Sequence, residues 1–299
     1  MTSRSIATTL IAAAVCTAML GTQVRLAAAG DGRSFSVTVS GPATARSMIF
    51  VPGLMCPGEI WEAAAARYAL VYRVHVLTLS GFGGPPITGE PFLPRVRDEL
   101  IDYIRGERLD RPVIVGHSLG GFLAFSVAAT APDLVGPIVA VDGLPFLPAL
   151  TAPAATAAMM QRQAAQTRAF FASLTTSQLT AQSRMSLPMM ISDPSGVERA
   201  AAWAAASDPA TVGRAMAEML TTDLRDDLAR IHSPALLIGA AKDAAGSTAL
   251  ARLTQAYEAQ VAKAPHASVL MALKARHFIM LDDPDFLFGA IDAFLGGRP

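Results

Sequence analysis

Two periodicities alternate along the chain. Residues 34–40 (Ser-Phe-Ser-Val-Thr-Val-Ser) switch between polar and apolar at nearly every step, the mark of a half-exposed strand, and predict a sheet edge. Residues 47–51 and 72–79 are near-continuous apolar runs ending in glycine-rich loops, Pro52-Gly53 and Ser80-Gly81-Phe82-Gly83-Gly84. Strands buried on both faces have this composition. Between them, residues 58–69 are helical in composition, and residues 92–105 carry Leu93, Val96, Leu100, Ile101 and Ile104 at helical spacing. The series continues as strand 113–115, helix 122–130, strand 137–141, strand 235–239, helix 247–260, strand 268–273 and helix 285–295. Strands alternating with helices imply right-handed crossovers and a mostly parallel sheet flanked by helices, an α/β fold.

From Leu144 to Asp226 the alternation stops. The segment reads as helices punctuated by Asp193-Pro194 and Asp208-Pro209, where aspartate caps and proline takes the first helical position. It holds seven of the chain's 13 methionines: Met159, Met160, Met185, Met189, Met190, Met216 and Met219. These side chains suit either a plastic wall over an apolar pocket or ordinary packing of helices on a core. The expected organisation is a leader, 1–29, a core in two parts, 30–143 and 227–299, and a helical lid, 144–226, inserted between them.

The leader differs in kind from the rest. Arg4 precedes an uncharged apolar stretch from Ile6 to Gly21, and Ala27-Ala28-Ala29 offers the small residues a signal peptidase accepts. This predicts a signal peptide and an exported protein, periplasmic or secreted. An uncleaved anchor is the alternative, although the stretch is short for a span of about 20 residues. No other stretch is apolar enough to cross a bilayer, so no membrane span is expected after cleavage. Export leaves Cys56 as the only cysteine, and the fold must then hold by packing without an internal disulfide.

Composition narrows the function classes. Hydrophobic residues make up 52% of the chain and charged residues 16%, enough apolar surface for a sizeable core and too little charge for disorder. Lys+Arg and Asp+Glu balance at 24 each, and no basic run interleaved with aromatics occurs, so nucleic acid is not an expected partner. No metal-ligand spacing of the H-E-x-x-H or C-x-x-C kind is present. The Gly81-Phe82-Gly83-Gly84 turn lacks both the spacing and the lysine of a phosphate loop, and no cofactor is expected.

The candidate chemistry centres on Gly116-His117-Ser118-Leu119-Gly120-Gly121, which follows one strand directly and opens a helix. A nucleophile elbow needs this order, with glycines on both sides of the serine so that strand and helix can approach and leave the hydroxyl exposed. Strand alternation then turns His117 away from whatever Ser118 faces. A serine hydroxyl is a weak nucleophile and needs a base and a group to orient that base. His277, in the loop between the last strand and the last helix, is the candidate base. Asp243, just beyond strand 235–239, is the candidate orienting acid, and Asp142, at the end of strand 137–141, is its rival. The backbone N–H of Leu119 and that of Leu54, with Met55 as the alternative, would form the oxyanion hole. Trp61 and Cys56 stand near this loop, lining a pocket mouth or buried in packing.

With these residues in place, the chain resembles the α/β-hydrolase superfamily, in the branch of lidded serine esterases and cofactor-free haloperoxidase-like proteins. The likeness spans about residues 45–297 and rests on Pro52-Gly53-Leu54, Gly81-Phe82-Gly83, the Gly116–Gly121 motif and Arg276-His277-Phe278-Ile279-Met280. It implies an eight-stranded, mainly parallel sheet. Many members have His-Gly where this chain has Pro52-Gly53. Dehalogenases and epoxide hydrolases of this fold carry aspartate at the elbow, so Ser118 argues against both. The reading that follows is an exported serine hydrolase acting on a small apolar ester or related acyl compound. The alternatives are a non-catalytic or slow-turnover binder on the same fold, or an amidase, lactonase or carbon–carbon hydrolase.

Overall fold

In the computed structural model, the described residues are 33–86, 89–244 and 246–296. The expected leader, 1–29, lies outside them. Seven strands form one sheet: β1 (Phe35–Ser40), β2 (Ser47–Val51), β3 (Arg73–Leu79), β4 (Val113–His117), β5 (Ile138–Val141), β6 (Ala235–Ala240) and β7 (Ala267–Ala272). Their order is β1-β3-β2-β4-β5-β6-β7, with β1 antiparallel to β3 and all other neighbours parallel. The eight strands implied by the resemblance are thus seven among the described residues, the number that the apolar runs themselves mark.

Burial follows position in the sheet. Every residue of β2, β4 and β5 is buried, whereas β1 and β7, at the edges, alternate between covered and open positions. Strand alternation sends Ile49 and Val51 of β2 into one core, and Met48 and Phe50 into the other. The first core is closed by α2 (Phe92–Gly106) and α3 (Leu119–Thr130), the second by α1 (Glu62–Tyr68) and α10 (Pro284–Phe294). Helix α3 is apolar all round, and residues Leu119 to Ala129 are all buried.

Between β5 and β6 lies a helical insertion of α4 (Ala157–Ala172), α5 (Thr176–Ser186), α6 (Pro194–Ala205) and α7 (Pro209–Thr221), with α4 packed on α7. Asp193 accepts from Gly196 N at 2.9 Å and Asp208 from Thr211 N at 2.8 Å, which caps α6 and α7 with proline at their first turn. Helix α8 (Gly246–Val261) then joins β6 to β7, and the short α9 (Ile279–Asp282) precedes α10.

The sheet order fixes where a site can form. Strand β2 has β3 on one side and β4 on the other, so successive crossovers lead away from it in opposite directions. A crevice opens outside the carboxyl ends of strands at such a switch point. Here those ends carry Pro52-Gly53-Leu54 after β2 and Ser118 after β4.

Candidate active site

Ser118 occupies the tight turn between β4 and α3 with φ 53° and ψ −116°. A non-glycine residue there costs about 1–3 kcal/mol and persists only when its surroundings impose it. They do so here: Ser118 N donates to Val141 O at 2.9 Å, and α3 is pressed directly onto the sheet. A Cβ at Gly116 would lie 2.1 Å from Gly120 O, and one at Gly120 would lie 2.2 Å from Val51 O. Only glycines permit that approach.

His277 stands in the loop between β7 and α9, and its Nδ1 lies 2.6 Å from Asp142 Oδ2. Neighbouring strands explain the pairing. His117 of β4 is in register with Val141 of β5, so the residues that follow each, Ser118 and Asp142, project from adjacent strand ends. The other Asp142 oxygen accepts from Ala240 N at 2.9 Å and from the Tyr257 hydroxyl. Burial opposes charge on Asp142, but the hydrogen bond and electrostatic attraction of His277 and the donors at Tyr257 and Ala240 outweigh it, holding the carboxyl below the usual range. Tyr257, on α8, is itself pushed up, first by burial and then by the Asp142 charge, so its phenol stays a donor. Its ring passes over Gly239, where a Cβ would lie 2.6 Å from it. No sequence pattern singled out Tyr257.

Asp243 is not brought to His277. Its carboxylate, 64% exposed, pairs with Arg276, Nε to Oδ2 at 3.0 Å. It lies three residues past the end of β6, in a turn that faces outward, whereas Asp142 directly follows β5 beside the elbow. The rival carboxylate therefore takes the place expected for Asp243.

His117 keeps the alternation of β4, buried on the face of Val113 and Val115 with its ring 4.8 Å from that of Phe278, and it is Ser118 whose positive φ leaves the strand. His117 nonetheless forms part of the wall of the cavity that Ser118 borders. Its Nε2 is 3.1 Å from His277 O, and the two rings lie 4.7 Å apart. Burial pushes its pKa down to about 3, so the ring is neutral and donates from Nε2 to that carbonyl. The histidine loop is further tied to the segment before α6. Asp282 accepts from Arg276 N and Ser192 N, both at 2.8 Å, and Phe278 N donates to Met190 O at 3.2 Å.

Ser118 and His277 open on one cavity of about 300 Å³. Leu54, Met55 and Cys56 border it from the β2 loop, and Met190, Met216 and Met219 from the insertion. Three of the insertion's methionines thus form cavity wall, while Met159, Met185 and Met189 are exposed. Leu54 belongs to a turn closed by Cys56 N to Gly53 O at 3.2 Å, and Leu119 is the first residue of α3, where backbone N–H groups have no intrahelical acceptor. Burial pushes the Cys56 thiol up to about 12, which keeps it neutral. Trp61 is fully buried against Phe50 and away from the mouth. Among the described residues, no group of His, Cys, Asp and Glu side chains could hold a metal ion.

A parallel sheet with a strained serine and a histidine–carboxylate pair at its switch point belongs to the doubly wound α/β class of enzymes. The chain is a member of the alpha/beta hydrolase family, whose family model matches residues 48–290. It is 25% identical over 188 residues to a pimeloyl-[acyl-carrier protein] methyl ester esterase from Aliivibrio salmonicida, covering 62% of this chain and 70% of that one. It is 27% identical over 119 residues to the putative carbamate hydrolase RutD of Yersinia enterocolitica, covering 39% and 43% respectively. A hydrolase from Pseudomonas aeruginosa superposes with a TM-score of 0.71 at 22% identity, covering 92% of this chain and 99% of that one. The last likeness concerns the fold.

The expectation of export is contradicted by these relatives, an esterase of acyl-carrier-protein esters and a putative carbamate hydrolase, and the leader that suggested secretion lies outside the described residues. Among the described residues, no helix is long and apolar enough to cross a membrane.

Proposed function

We propose that the protein is a serine hydrolase that cleaves carboxylic esters of small apolar molecules through an acyl-serine intermediate. The observation that carries this reading is the 2.6 Å pair of His277 and Asp142, which shares one cavity with the strained Ser118. Ser118 Oγ attacks the ester carbonyl and passes its proton to His277 Nε2. Asp142, accepting from Nδ1–H, fixes the tautomer that leaves Nε2 free to accept and stabilises the imidazolium. The oxyanion is held by the amides of Leu119 and Leu54. His277 then gives the proton to the departing alcohol, and in the second half activates water against acyl-Ser118. Asp142, rather than Asp243, is the orienting acid in this scheme. The helical insertion acts as a lid, since its methionines cover the cavity on the side away from the sheet.

A fluorophosphonate probe should label Ser118 in the wild type and fail to label Ser118→Ala. A folded wild type that stays unlabelled and does not hydrolyse p-nitrophenyl acetate would refute the mechanism and favour a binding protein.

A further inference from the structure

Resting on the esterase reading, the cavity walls narrow the acyl group further. None of the residues bordering the cavity is Asp, Glu, Lys or Arg. Its other polar side chains leave no donor free, and His117 Nδ1, which has no partner, can only accept in the tautomer that donates from Nε2. The Ser183 hydroxyl donates to Leu179 O at 2.8 Å, the Cys56 thiol to Leu54 O at 3.4 Å, and His117 Nε2 to His277 O. Ser118 and His277 are committed to the chemistry. A carboxylate at the far end of an acyl chain would be desolvated there with no countercharge and no free donor, whereas a methyl end meets methionine, leucine and alanine side chains.

Size sets a second limit. At about 300 Å³ the cavity lies at the small end of the roughly 300–1,000 Å³ range of ligand pockets. A medium-length acyl chain suits such a volume better than a long one. On the insertion side, α6 contributes only the methyl groups of Ala200 and Ala204, four residues apart on one buried face. Any larger side chain at either position would enter the space they leave.

We propose that the site selects uncharged acyl chains of about six to eight carbons, rejects chains ending in a carboxylate, and has its upper length set by Ala200 and Ala204. The test compares kcat/KM for p-nitrophenyl acetate, hexanoate, octanoate and dodecanoate, and for the p-nitrophenyl monoester of adipic acid against its methyl-capped counterpart. Activity should peak at hexanoyl to octanoyl and fall at least about tenfold by dodecanoyl, with the free adipoyl acid on the order of a hundredfold below the capped form. Ala204→Leu should lower the octanoate-to-acetate ratio about tenfold or more, by inserting three carbons where the chain lies. Ala200→Leu makes the same test at the neighbouring position, with folding of each variant checked by circular dichroism. Equal rates for the free and capped adipoyl esters, a dodecanoyl optimum, or an unaltered ratio in folded variants would overturn the proposal. If acetate turnover persists and disappears in Ser118→Ala, such a result leaves the hydrolase reading intact. Absence of turnover for every ester overturns both.

Discussion

Asp142→Asn separates the two carboxylates that the chain offers to His277. Asparagine keeps the shape, and its single carbonyl oxygen stays with Ala240 N and Tyr257, the two donors that now bond Asp142 Oδ1. The amide nitrogen then faces His277 Nδ1, where Oδ2 now stands at 2.6 Å. Two donors cannot share that gap, so the imidazole moves its proton to Nε2 and can no longer accept from Ser118. The imidazolium also loses its buried countercharge. Loss of the orienting aspartate in triads of this kind lowers kcat about 10⁴-fold, equivalent to about 5 kcal/mol in the barrier. Asp243→Asn removes only an exposed pair with Arg276, worth at most about 1 kcal/mol, and should leave kcat within about fivefold. The assay is kcat on p-nitrophenyl hexanoate together with the rate of fluorophosphonate labelling, on variants shown to be folded. An Asp142→Asn enzyme retaining more than about a tenth of wild-type kcat, or a larger loss in Asp243→Asn, would refute the assignment. The same variant reports on acid stability. Because the Asp142 carboxyl lies below its usual range in the fold, it adds stability above its unfolded value of about 4 that is lost as pH falls through the folded value. Asp142→Asn should flatten that part of the acid-unfolding curve.

Two further outcomes follow from the geometry. Tyr257→Phe leaves Asp142 Oδ1 with one donor; it should lower kcat about tenfold with KM nearly unchanged and cost about 1–2 kcal/mol of stability, and Gly239→Ala, which displaces the same ring, should move kcat in the same direction. An unchanged kcat in Tyr257→Phe would show that the hydroxyl only fills space. Gly120→Ala places a carbon 2.2 Å from Val51 O, so strand and helix must separate; chemical denaturation should show a loss above about 3 kcal/mol, and wild-type stability would contradict the close approach.

What the sequence made legible is what covalent neighbours decide. The apolar runs mark the strands because a strand covered on both faces must be apolar throughout, and the edge strand β1 shows as alternation because one face is open. The serine turn is legible for a similar reason: strand, glycines, serine and helix are consecutive, and the clash that requires glycine lies within six residues and one adjacent strand. His277 follows the last strand closely enough to be singled out by order alone. The acid was not decidable in this way. Asp142 and Asp243 each come after a strand, and only the lateral order β4-β5-β6, with His117 in register with Val141, brings one of them beside the elbow and leaves the other paired with Arg276 at the surface. Tyr257, in the middle of α8, and the bond of His117 to the His277 loop carry no local signal at all. The sequence by itself therefore determined the fold class and the serine elbow, because both depend on backbone sterics and burial patterns written over a few consecutive residues. The partner of His277 and the shape of the cavity were decided by tertiary structure, because hydrogen bonds and packing between residues 100 or more positions apart depend on which strand lies next to which.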